Sequence, residues 1–195
     1  MPATPRFVLL DRDGVINQRI VGGYVTRWDQ FIFLPGALDG LRLLTENNFQ
    51  VIVVSNQAGV GKGLMTAADL QEITRRFVKE VEAQGGRICS VYYCTHRAED
   101  NCPCRKPKPG LLLEAQAEHH FAFADTFLIG DSESDLLAAH AVGCPAIMVS
   151  NAPPASFAQL PHAPRVTVPT LLAAATFLLS DEGCYNFSNH GGNCA

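Results

Sequence analysis

Short runs of branched apolar residues alternate with helical stretches along this 195-residue chain, and the first run breaks off at a pair of acids. Phe7-Val8-Leu9-Leu10 leads straight into Asp11-Arg12-Asp13-Gly14-Val15-Ile16-Asn17. Apolar residues ending at acids and a glycine read as a buried strand emptying into a loop. Strands are predicted at 6–10, 50–55, 88–94, 126–130 and 145–149. Helices are predicted at 36–48, 66–84, 107–120, 132–142 and 168–180, with Pro35-Gly36 starting the first and Thr66 capping the second. This βαβ alternation predicts an α/β, Rossmann-like fold with a central, mostly parallel sheet. Runs such as Val51-Ile52-Val53-Val54 have no polar face, so helices must cover both sides. In such a sheet, ligands sit at the carboxyl ends of the strands.

The length fits one domain, taken as 1–180, followed by a Gly/Asn/Ser-rich tail at 181–195 that reads as poorly ordered. A hydrophobic share of 47% with 17% charged residues suits a globular core. The net charge of −4 gives no electrostatic footprint for nucleic acid or an anionic membrane. No stretch approaches the roughly 18 apolar residues of a membrane span. Met1 to Arg6 lack the pattern of a signal peptide, so a cytoplasmic protein is the expectation, and a monomer is expected because no uncommitted apolar stripe stands out. Seven cysteines argue against a secreted disulfide framework and towards metal or free thiols. Cys89 and Cys144 lie in apolar runs and read as small core residues, while Cys184 and Cys194 lie in the tail.

Two further strand ends carry polar chemistry. Val51–Val54 empties into Ser55-Asn56-Gln57-Ala58-Gly59, which can bind phosphate oxygens or simply form an ordinary turn. Phe127–Ile129 empties into Gly130-Asp131-Ser132-Glu133-Ser134-Asp135, whose acids suit a cation site or a helix N-cap. Arg105-Lys106-Pro107-Lys108-Pro109-Gly110 offers a point charge and a guanidinium fork, either for an anion or as a basic surface loop. Just before it, Cys94, His96, Cys102 and Cys104 supply three thiolates and an imidazole, the ligand set of a closed structural zinc site, with unliganded thiols as the alternative. Such a zinc braces the loop that delivers Arg105 and Lys106. His119, His120, His140 and His162 read as ordinary helix or surface histidines.

Asp11-Arg12-Asp13-Gly14, Ser55-Asn56-Gln57, Lys106 and Gly130-Asp131-x₃-Asp135 stand in the order seen in haloacid dehalogenase superfamily phosphatases, which the chain resembles over most of 6–150. The Cys/His loop and Cys104-Arg105-Lys106-Pro107 resemble the branch holding the heptose-1,7-bisphosphate and histidinol-phosphate phosphatases. So do Gly23-Tyr24-Val25 and Phe31-Ile32-Phe33-Leu34-Pro35-Gly36. Ser132 departs from that pattern, standing where heptose enzymes often carry lysine. The resemblance implies a phosphatase that works through an aspartyl-phosphate on Asp11, with Asp13 as general acid and base. It implies Mg²⁺ between Asp11, the Asp13 carbonyl and Asp131, and phosphoryl oxygens held by Ser55 and Lys106. Gly23, Tyr24, Asn56, Gln57 and Arg105 are then expected to meet the rest of the substrate, with Asp135 steadying Lys106 or the metal shell. The short insertions exclude a large cap domain, so a small phosphorylated sugar is the expected substrate. Histidinol phosphate is the alternative, and a receiver-like phosphoacceptor without catalysis is the alternative from another class.

Overall fold

Leu9 alternates with Val8 and Leu10 along the first strand, yet all three are fully buried, so both faces of this strand lie in the core. A computed structural model describes residues 5–150 and 162–180. In chain order the elements are β1 (Arg6–Leu10), α1 (Ala37–Glu46), β2 (Phe49–Asn56), α2 (Ala67–Ala83), β3 (Ile88–Cys94) and α3 (Gly110–His119). Then come β4 (Phe127–Gly130), α4 (Glu133–His140), β5 (Ala146–Val149), β6 (Val166–Val168) and α5 (Leu171–Leu179). Among the described residues the strands form one six-stranded sheet in the order β3-β2-β1-β4-β5-β6. Every pairing is parallel.

Period-two alternation sorts the core into two layers. Val8, Leu10, Val51 and Val53 pack with Leu41, Leu44, Ile73, Phe77 and Leu178 from α1, α2 and α5. Leu9, Ile52, Val54 and Leu128 pack on the other face with Leu111, Leu112, Leu136 and Ala139 from α3 and α4. Burial of this kind contributes about 1.5–3 kcal/mol for each large apolar side chain. Gly40 lets α1 meet α5, because a Cβ there would stand 2.9 Å from the Leu171–Leu172 backbone.

Strand order reverses direction at β1, where the chain crosses from β2 and β3 on one side to β4 on the other. That is the topological switch point at which open α/β sheets bind ligands. Thr66 caps α2 in a reciprocal capping box with Asp69, as its sequence position predicts.

The structure departs from expectation at α3, at β6 and at Cys89. Helix α3 begins at Gly110 and not at 107, because Pro107 and Pro109 precede it and supply no N–H donors. Strand β6, Val166-Thr167-Val168, was not expected, since three residues are too short to show alternation. Cys89 is exposed and not in the core: β3 is an edge strand covered incompletely, while Cys144 is buried as expected. Residues 181–195, with Cys184 and Cys194, lie outside the described residues.

Candidate active site

Asp11 follows β1 directly, and its backbone N–H still donates to the Ile129 carbonyl of β4 at 2.9 Å. The sheet thus holds the first carboxylate between β2 and β4. Gly14 lets the chain turn beneath it with φ +94°, and a Cβ at this position would come within 2.0 Å of the Asp131 carboxylate. Only glycine permits that approach.

Lys106 is 3% exposed, and its ammonium spends all three protons. They face Asp135 Oδ1 at 2.5 Å, the Val54 carbonyl at 2.7 Å and Asp11 Oδ1 at 3.1 Å. Burial works against the Lys106 charge, but Asp11 and Asp135 more than offset it and hold its pKa above the usual lysine range. Asp11 is lifted above its ordinary value chiefly by burial, with Lys106 opposing and Asp135 adding to the rise. An incoming phosphoryl oxygen must therefore take over one of the Lys106 protons. The Lys106 backbone is clamped by Asn56, whose side chain donates to its carbonyl at 3.0 Å and accepts from its N–H at 3.1 Å.

Asp11, Asp131 and Asp135 each bring a carboxylate oxygen into one cluster, all within 4.8 Å of one another. Burial, then Asp11 and Asp135, push the Asp131 pKa up to about 7, against the pull of Arg19. Asp135 Oδ2 is already engaged by the Ser132 N–H and hydroxyl at the start of α4. It thus serves as helix cap and as lysine partner together. Three mutually repelling carboxylates fit a hard divalent cation, which would relieve that repulsion.

The cluster opens into a cavity of about 420 Å³, lined also by Ser55, Tyr24, Arg19, Lys62 and Arg105. At the end of β3, the sulfurs of Cys94, Cys102 and Cys104 stand 3.3–3.6 Å apart, with His96 Nδ1 at 3.3 Å from Cys104 and 3.7 Å from Cys94. A tetrahedral zinc with Zn–S bonds near 2.3 Å implies S···S edges of about 3.8 Å, so the four ligands are gathered at nearly the right size. All three thiols are free of disulfides.

Comparison with known proteins agrees with this geometry. Residues 103–174 match the HAD-hydrolase-like family model. A D-glycero-beta-D-manno-heptose-1,7-bisphosphate 7-phosphatase of Helicobacter pylori is 37% identical over 69% of this chain and 78% of its own length. The D-glycero-alpha-D-manno-heptose-1,7-bisphosphate 7-phosphatase of Mycobacterium tuberculosis is 42% identical over 71% and 74%. A crystal structure of D,D-heptose 1,7-bisphosphate phosphatase from B. bronchiseptica, complexed with magnesium and phosphate, superposes with a TM-score of 0.83 at 33% identity, covering 89% of this chain and 98% of that one.

The chain belongs to the haloacid dehalogenase superfamily, in its heptose-bisphosphate phosphatase family.

In this family member Asp11, Asp13, Ser55, Lys106, Asp131, Gly23, Tyr24, Asn56 and Arg105 all line one cavity, although they come from separate segments. Gln57 does not. It is 1% exposed, and its amide is spent on Asp13, Ser55 and Arg12, so the expectation of a substrate contact is corrected. Gln57 lies just past the end of β2, where its N–H donates to the Cys94 carbonyl at 2.7 Å and its side chain turns to Asp13 and Arg12. Sequence reading gave no role to Arg19, which reaches Asp131 Oδ2 at 3.3 Å, nor to Lys62, whose ammonium lies 5.2 Å from the Tyr24 ring centroid. Neither sits in a recognisable pattern. Arg12, flanked by two acids, was visible as a charge but not as a buried one.

Proposed function

We propose that this protein is a Mg²⁺-dependent phosphatase that removes the C7 phosphate of D-glycero-D-manno-heptose 1,7-bisphosphate through an aspartyl-phosphate on Asp11. The observation that carries the reading is the charge of the cavity. Asp11 and Lys106 form its floor, while Arg19, Lys62 and Arg105 are three further cations on its walls. One phosphate on the floor uses Lys106, and a second finds charge at the mouth. Histidinol phosphate brings an ammonium where the walls are already positive, so electrostatics disfavours it. A volume of about 420 Å³ also falls within the roughly 300–1,000 Å³ of small-molecule sites.

Asp11 is the nucleophile, Asp13 gives a proton to the leaving alkoxide and later takes one from water, and Ser55 and Lys106 hold the phosphoryl oxygens as charge develops. Mg²⁺ would be held by Asp11, Asp131 and the Asp13 carbonyl, and supplies positive charge at the phosphoryl group. Zn²⁺ would be held by Cys94, His96, Cys102 and Cys104. With no open ligand position it braces the loop from which Arg105 and Lys106 project. Gly23, Tyr24, Asn56 and Arg105 form the sugar-facing wall. Among the described residues no helix is long and apolar enough to cross a membrane.

Phosphate release with Mg²⁺ from the α- and β-heptose 1,7-bisphosphates and from histidinol phosphate tests the reading. A hundredfold preference for one heptose, about 2.7 kcal/mol of differential transition-state binding, is expected. The relatives' names divide between the two anomers, and the same assay assigns this chain's. Preference for histidinol phosphate would overturn the substrate and leave the mechanism standing.

A further inference from the structure

Arg12 is among the largest side chains sealed from solvent, with 0% exposure. A buried guanidinium costs several kcal/mol unless its charge is met by partners. Burial works against the Arg12 charge, but Asp13 and then Tyr93 more than offset it. One nitrogen, Nη2, donates to Asp13 Oδ1 at 3.1 Å, to Asp13 Oδ2 at 3.0 Å and to Gln57 Oε1 at 3.0 Å. Gln57 Nε2 closes the triangle on Asp13 Oδ2 at 2.6 Å, and Asn17 Nδ2 donates to Asp13 Oδ1 at 2.8 Å. The rings of Phe31 and Tyr93 wall the guanidinium, each centroid 5.8 Å away. Of these residues, Asp13 alone lines the cavity. Arg12 can therefore act on substrate only through it, and Gln57 through it and through Ser55, to whose hydroxyl its amide also donates at 3.2 Å.

We propose that Arg12, with Gln57, is a positioning residue that fixes the Asp13 carboxyl in the orientation from which it exchanges a proton with the leaving oxygen and with water. The inference rests on the phosphatase reading. In the first step an Asp11 oxygen bonds to phosphorus, the bond from phosphorus to the leaving oxygen breaks, and the Asp13 proton passes to that oxygen. In the second, water attacks phosphorus, its proton passes to Asp13, and the Asp11–phosphorus bond breaks to release inorganic phosphate. The cradle grips both Asp13 carboxyl oxygens and holds them at one orientation towards the cavity, so the proton is handed over along a fixed direction, an alignment worth most in the transition state. A sugar alkoxide needs that proton to leave. A nitrophenolate does not.

The test compares Arg12→Met, Arg12→Lys and Gln57→Met with the wild type in single turnovers, using p-nitrophenyl phosphate and an alkyl phosphomonoester that the wild type cleaves. Phosphoryl transfer from the alkyl ester is expected to fall about 100-fold in the Arg12 variants and about tenfold in Gln57→Met. The first nitrophenolate turnover should change by less than about threefold, followed by slow hydrolysis of the aspartyl-phosphate, so that a burst becomes visible. Arg12→Lys keeps the charge without the fork and should lie between wild type and Arg12→Met. If Arg12→Met does not fold, the other two variants give the same comparison. Equal losses on both esters would mean a merely structural role, and no loss on either would mean none; both overturn the proposal. A wild type that cleaves other alkyl phosphates but not the heptose bisphosphate defeats the substrate reading and leaves this comparison intact.

Discussion

Two clusters of ionisable residues sit at strand ends on the same edge of the sheet, with β2 between them, and differ in what surrounds them. Beyond β1 and β4, Asp11, Asp131 and Asp135 crowd together, with Lys106 paired to Asp11 and Asp135, and Asp11 and Asp131 open onto a cavity. At the end of β3, the ligand atoms of Cys94, His96, Cys102 and Cys104 face one another, all within 4.8 Å. The first cluster leaves oxygens directed at a space a substrate can enter. The second leaves none, since its ligands use each other. A half-satisfied set of charges is costly to keep, and keeping it in a cavity marks where chemistry occurs. A fully closed set contributes folding energy instead. Chemistry and bracing are thus separated by about the width of two strands, and joined by the short run from Cys104 to Lys106.

Breaking the open cluster should have the largest effect. Asp11→Asn is expected to lower kcat by at least about 10⁴-fold, because the proposed nucleophile is gone, while the thermal unfolding midpoint changes little. Steady-state phosphate release and calorimetry check both halves, and persistent turnover would remove Asp11 from its role. Breaking the closed cluster should move stability and activity together. Cys104→Ser, or a chelator that strips zinc, is expected to lower the unfolding midpoint and reduce kcat by about 10–100-fold, an outer-support effect and not the loss of a reacting group. Loss of zinc with neither quantity altered would separate the two clusters altogether.

The difference sharpens with pH. Without metal, the Asp131 carboxyl is raised to about 7, so above that pH it is ionised and below it a proton must be displaced by Mg²⁺. Mg²⁺ affinity should therefore weaken by about tenfold from pH 8 to pH 6, with proton release on binding at the lower pH. Titration calorimetry in buffers of different ionisation enthalpy reads both. The smallest effect belongs to the exposed rim. Lys62→Ala should raise KM by only about two- to fivefold, with kcat unchanged and the change lost at high salt, as for a solvent-exposed ionic contact.

How much of this was legible in the sequence follows the same division. The sheet was legible because β1, β2 and β4 are buried on both faces and so carry unbroken apolar runs. Asp11, Ser55, Lys106 and Asp131 stood out because each follows such a run or a stiff proline-rich segment. The four zinc-type ligands stood out by density within eleven residues. What stayed hidden depends on tertiary placement. Gln57 differs from Asn56 only by the buried partners that claim its amide, and Arg12 looks like any charge between two acids until its exposure is known. Cys89 sits in an apolar run that proves to be an edge. The ion pair of Arg19 with Asp131 spans residues 112 apart in sequence, which no local pattern encodes.

The central claim is that the open cluster is where the phosphoryl group is transferred. The most direct measurement is rapid-quench mass spectrometry of the protein mixed with heptose 1,7-bisphosphate and Mg²⁺, followed by peptide mapping. The account expects the mass of one phosphoryl group on the peptide containing Asp11, formed no more slowly than phosphate is released and absent from Asp11→Asn. A phosphoryl group on any other residue, or full turnover with none on Asp11 at any time, would contradict it.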